Sequence, residues 1–82
     1  MITLDGSRMT DRAAIHAELK EKLKLPDYYG GNLDALNDCL GERRERELIL
    51  LSNASDFLEE NGAYGATLLR VFLDNGIQVL LN

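Results

Sequence analysis

The sequence predicts an α/β domain with a three-stranded parallel sheet flanked by about four helices, and three observations predict it. Short β-prone segments stand near the beginning, middle and end of the chain: Ile2-Thr3-Leu4, Leu48-Ile49-Leu50-Leu51, and Ile77 to Leu81. Each successive pair is separated by enough chain for a helical crossover, which parallel strands need and a hairpin does not. Within those separations the apolar residues recur every three or four positions, the period of a helix. With 82 residues, 45 % of them hydrophobic, the chain is expected to form a single domain, 1–82, around one core.

The elements follow in order. The first strand ends at Asp5-Gly6-Ser7, which are turn residues. Thr10 or Asp11 can cap a first helix in which Ile15, Leu19 and Leu23 face inward and Glu18, Lys20, Glu21, Lys22 and Lys24 cover the solvent side. Pro26 lies just beyond its end. Asn32 is a candidate N-cap for a second helix of about two turns, with Leu33, Leu36 and Leu40 on one face and Gly41 suited to the left-handed position that closes it.

Leu48 to Leu51 is a continuous apolar run, as expected of a parallel strand covered on both faces. Ser55 can start a third helix bearing Phe57 and Leu58 and ending near Asn61-Gly62. A fourth, from about Ala63 to Asp74, presents Tyr64, Leu68, Leu69 and Phe72 inward, with Asn75-Gly76 as its C-terminal stop. The last strand follows.

Nine Lys and Arg against fourteen Asp and Glu leave a net charge of −5, which disfavours direct nucleic-acid binding and anionic membranes and favours a basic partner. The first residues carry no basic stretch followed by a long apolar run, and no segment approaches the roughly 18 apolar residues of a membrane span. Cys39 is the sole cysteine, so no internal disulfide forms, and a cytoplasmic location is expected.

On the second helix Asp34, Asn37 and Asp38 stand at i, i+3 and i+4, opposite the leucines, so their polar ends share one surface. Asp34 sits in the first turn, where the helix dipole favours an anion. Asp38 sits toward the other end, where the dipole disfavours it, and the two carboxylates repel; together these effects cost on the order of 1 kcal/mol. A residue that breaks a local rule invites a functional reason, here a cationic partner. A solvated acidic face satisfies the same spacing. The preceding segment, Leu25-Pro26-Asp27-Tyr28-Tyr29-Gly30-Gly31-Asn32, adds two aromatics and two glycines, so that one tyrosine can be buried while the other is presented, or both can pack the loop onto the core.

The run from Leu25 through Tyr28-Tyr29-Gly30-Gly31-Asn32-Leu33-Asp34-Ala35-Leu36-Asn37-Asp38-Cys39-Leu40 resembles the signature of the barstar family. Weaker similarity extends through Ile15-His16, Leu19-Lys20, Glu60 to Ala63, Val71-Phe72 and the final strand. The resemblance implies a small α/β protein that binds a basic ribonuclease of the barnase type, one to one, as a monomer, and plugs its active site with carboxylates in place of RNA phosphates. Carried onto this chain, the partner-binding residues are Tyr28, Gly30, Asn32, Asp34, Asn37 and Asp38, with Asp38 the central anion and Asp74 the nearest match to an additional acidic contact on the last helix. Asn37 stands where the best-known member has a tryptophan, Gly31 replaces an acidic residue, and the arginines of Glu42-Arg43-Arg44-Glu45-Arg46-Glu47 are a departure that would repel a basic partner. Their simpler reading is a solvated turn of alternating charge.

No catalytic residue, metal site or cofactor is expected. His16, the sole histidine, lies beside Ile15 without a nucleophile signature and is read as an ordinary surface residue. Cys39, next to Leu40, is read as a buried structural thiol. Asp34 and Asp38 could offer two oxygen ligands to Mg²⁺ or Ca²⁺, but no third follows at loop spacing. The alternative function is a non-enzymatic interaction module that uses the same fold against a partner other than a nuclease.

Overall fold

A computed structural model describes residues 1–43 and 47–82. The element order is β1 (Ile2–Asp5), a single 3-10 turn (Gly6–Arg8), α1 (Arg12–Lys22), α2 (Leu33–Glu42), β2 (Ile49–Ser52), α3 (Ala54–Asp74) and β3 (Val79–Leu81). The strands are parallel in the order β1-β2-β3, with Ile2 opposite Ile49 and Ile49 opposite Val79. Among the described residues there are three α-helices rather than about four.

The difference lies at Gly62. The expected third and fourth helices are one element, interrupted where Gly62 adopts φ 51° and ψ −126°, a conformation that a residue without a Cβ enters readily. Asn61 reinforces the break, its amide donating to the carbonyls of Met9 at 2.7 Å and Phe57 at 2.9 Å. The helix starts at Ala54, after Asn53 in the left-handed region, and not at Ser55.

Parallel strands laid down in sequential order step the same way across the sheet, so right-handed crossovers put their helices on one face. The burial pattern agrees. Leu4, Ile49 and Leu51 are buried, whereas Leu50 is half-buried between exposed Thr3 and Leu80. The expectation that β2 is covered on both faces, and that helices flank the sheet, is therefore corrected: α1 packs on β1 and α3 on β3, while α2 rests on α3. Phe57 and Phe72 of α3, Ile15 and Leu19 of α1, and Leu36 and Leu40 of α2 meet in one core.

Local chemistry explains the helix ends. Asp11 accepts from the Ala14 amide at 2.8 Å and Asn32 from the Ala35 amide at 2.7 Å, each satisfying one orphan donor of a first turn. At the end of α3 the Gly76 and Ile77 amides reach back to Leu73 and Phe72, which brings buried Ile77 against buried Phe72. Helix α2 does not stop at Gly41: it continues through Glu42 and ends at extended Arg43, two residues further than expected. No helix among the described residues is long and apolar enough to cross a membrane.

Candidate functional site

The loop and α2 form one surface. Tyr28 is 81 % exposed and Tyr29 half-buried, so the pair divides into one presented and one packed aromatic. Gly31, at φ 69°, turns the chain into Asn32, a region open to glycine and strained for other residues. Because Asn32 spends its side-chain oxygen on capping, the cap fixes where α2 begins and hence where its acidic residues point.

Asp34, Asp38 and Glu42 recur every four residues along the outer side of α2, which places them in one stripe. Glu42 was not among the expected site residues; the same spacing points to it once the helix is known to extend past Gly41. Among the described residues, none of the three carboxylates has a cation in ion-pair contact. Tyr28, Gly30, Asp38 and Glu42 surround an open cavity of about 210 Å³, together with Tyr29, Ala35 and Cys39. Two parts of the expected site, loop and helix, are thus brought together. Burial first, then the nearby Glu42 and Asp38 carboxylates, push the Cys39 thiol up and keep it protonated. Cys39 is half-buried and not fully buried as expected.

The other expected residues occupy the margin. Asp34 lies one turn earlier and does not line the cavity. Asn37 turns toward α3, its side-chain oxygen accepting from the Asn75 amide at 2.8 Å, while the same amide group donates to the Val71 carbonyl at 2.8 Å. This bond ties α2 to the end of α3, where exposed Asp74 precedes Asn75.

Two residues expected at the surface are buried. Glu18 is 5 % exposed and accepts from the Asp5 amide at 3.1 Å, joining α1 to the end of β1. His16, also 5 % exposed, has Nδ1 2.5 Å from the Tyr29 hydroxyl and Nε2 2.6 Å from the Tyr64 hydroxyl. Both ring nitrogens are therefore engaged, and burial lowers the imidazole pKa, favouring the neutral form.

Arg43 is a structural clip. Its Nη1 donates to the Leu23 carbonyl at 2.7 Å and its Nη2 to Glu47 at 3.1 Å. Arg44 and Arg46, the other cations expected to oppose a basic partner, lie outside the described residues. No group of three side chains that could hold a metal ion occurs among the described residues.

A family model described as "Barstar (barnase inhibitor)" matches residues 1–79. The chain belongs to the barstar family. It is also similar to a protein of Bacillus subtilis (strain 168) named "Putative ribonuclease inhibitor YrdF", with 35 % identity over 79 residues that make up 96 % of this chain and 79 % of that relative. The matched region of this barstar-family chain contains both the loop and the acidic helix.

Proposed function

We propose that this chain is a protein inhibitor without catalytic activity of its own, which occludes the active site of a small basic ribonuclease of the barnase type. The loop presenting Tyr28 and Gly30 and the outer face of α2 enter the nuclease cleft. Asp34 and Asp38 stand in for RNA phosphates among the cations there, Asp38 at the centre beside Tyr28. Asn37 and Asp74 meet the rim, while Asn32 sets the approach angle of the helix.

The observation that carries this reading is the row Asp34, Asp38 and Glu42, on the outer side of α2 and without an ion-pair partner among the described residues. The helix gains nothing from the later carboxylates: Glu42 faces the negative end of its dipole, and Asp38 stands four residues from a like charge on either side. A cleft lined with Arg, Lys or His supplies the missing counter-charge, and the chain's net charge of −5 attracts such a partner from a distance. The relative in Bacillus subtilis, by its name, supports the same class of target.

Titration into an RNA-cleavage assay with barnase-type ribonucleases tests the proposal. The expected result is loss of activity to a 1:1 endpoint, with inhibition weakened as added salt screens the charges. Failure to inhibit any such nuclease at micromolar protein would sink it and leave the fold serving a different partner.

A further inference from the structure

Three elements meet at His16. Its imidazole lies on α1; Tyr29 belongs to the loop, between the two residues, Tyr28 and Gly30, that wall the cavity beside Asp38; and Tyr64 belongs to α3. The imidazole centroid is 5.8 Å from that of Tyr29 and 6.1 Å from that of Tyr64. The loop also passes close by, since a Cβ built on Gly31 would stand 3.9 Å from the Cβ of His16. The ends of the loop are held by the Leu25 amide on the Lys20 carbonyl at 3.0 Å and by the Asn32 cap on α2; between them the Tyr29 amide bonds to the Pro26 carbonyl, and Lys20 reaches the Asp27 carbonyl at a long 3.5 Å.

We propose that His16 is a positioning residue for the partner-binding face, holding the Tyr28–Asn32 loop in place through Tyr29 and sensing pH as it does so. The effect on binding rests on the inhibitor reading above; the effect on the loop does not. A neutral imidazole offers one N–H and one bare nitrogen, so one tyrosine accepts from it and the other donates to it. Protonation makes both nitrogens donors, and the tyrosine that was donating must turn its hydroxyl hydrogen elsewhere. The groups around the ring do not welcome the cation. Tyr29 faces it from the loop and Tyr64 from α3, Cys39 of α2 stands beside Tyr29, and the Arg12 guanidinium of α1 lies 4.2 Å over the Tyr64 ring. Burial first, then Cys39 and Tyr64, raise the Tyr29 phenol well above its usual range, so it remains a neutral hydroxyl.

Linkage sets the sign of the pH effect. The folded-state imidazole has its pKa lowered from 6.5, so the unfolded chain binds the proton more readily, and stability falls as pH drops through about 6.5 toward the folded-state value. The loop itself loosens only at the acid end of that window, where the folded imidazole takes up its own proton.

Side-chain length separates the two bonds, because the terminal amide of asparagine reaches the position of Nδ1 and that of glutamine the position of Nε2. His16→Asn therefore keeps a group facing Tyr29, and His16→Gln one facing Tyr64. Tyr29→Phe and Tyr64→Phe delete the same bonds from the other side. In the free protein, the Gly30 and Gly31 amide resonances are expected to titrate together with the His16 ring protons, and to lose that titration in His16→Asn. Amide exchange across the loop is expected to be faster in His16→Gln and Tyr29→Phe than in His16→Asn and Tyr64→Phe at matched global stability. Against a susceptible ribonuclease the first pair should lose about tenfold in inhibition, the scale of one hydrogen bond, and the second pair less. Glycine amides indifferent to His16, or loop exchange that follows global stability alone in all four variants, would overturn the proposal. The resonance and exchange measurements use no nuclease, so they decide the role of His16 in the loop even if an absence of inhibition refutes the inhibitor reading.

Discussion

Helices α1 and α2 begin alike, each with a side-chain cap, Asp11 or Asn32, and each buries apolar residues at helical spacing. Their last turns differ. In α1 these carry Lys20 and Lys22, cations at the negative end of the dipole; α2 has no basic residue there and carries Glu42 instead, with Asp38 four residues before it. The mismatch costs α2 about 0.3–1 kcal/mol, and the like charges four apart add a few tenths. The first cation after α2, Arg43, is committed to Leu23 at the end of α1. Helix α2 is thus held by its inner face and by neighbours, while its outer face is left charged against its own interest. The proposed inhibitor role would account for the contrast, with α2 as the surface kept for a partner.

Removing an inner leucine tests whether the two helices are equally dependent on the core. Leu19→Ala and Leu40→Ala, both at fully buried positions, should each cost about 2–5 kcal/mol in urea denaturation; a much smaller loss for Leu40 would mean that α2 is only loosely docked. Arg43→Ala removes the clip between the ends of the helices and should cost about 1–2 kcal/mol, mainly from the charged donor to the Leu23 carbonyl. A partner-binding role for Arg43 would instead show as lost inhibition at unchanged stability. Charge reversals give the smallest effects and sharpen the comparison most. Lys22→Glu should lower stability through the dipole, and Asp38→Lys raise it by turning two repulsions at four residues' distance into attractions, each by about 0.3–1 kcal/mol, whereas only the α2 change should abolish inhibition.

What the sequence makes legible is local. The strands stand out as short apolar runs and the helices by their period, and the caps, Asn32 for α2 and Thr10 or Asp11 for α1, follow from side-chain chemistry within four residues; the structure uses Asp11. The Asp34–Asp38 spacing shows the acidic stripe for the same reason. The burial of His16 and Glu18 is not legible, because Tyr64 is 48 positions from the histidine and Asp5 lies on another element. Asn37 likewise engages a residue 38 positions away. The one-sided sheet is hidden because the run Leu48 to Leu51 has no alternation to betray an open face. The break at Gly62 is legible too, since helix was expected to end near Asn61-Gly62 and resume at about Ala63, and the non-helical residue inside α3 is Gly62.

The most direct test is to measure folding stability and ribonuclease inhibition side by side for the wild type and Asp38→Ala. Stability should be unchanged or raised by a few tenths of a kcal/mol, because a badly placed charge has gone. Inhibition should weaken by more than about a hundredfold, since cations of the nuclease would be left unpaired in the interface at roughly 3–5 kcal/mol. Inhibition indifferent to Asp38, or lost only in proportion to a fall in stability, would contradict the claim that α2 carries its charge for a basic partner.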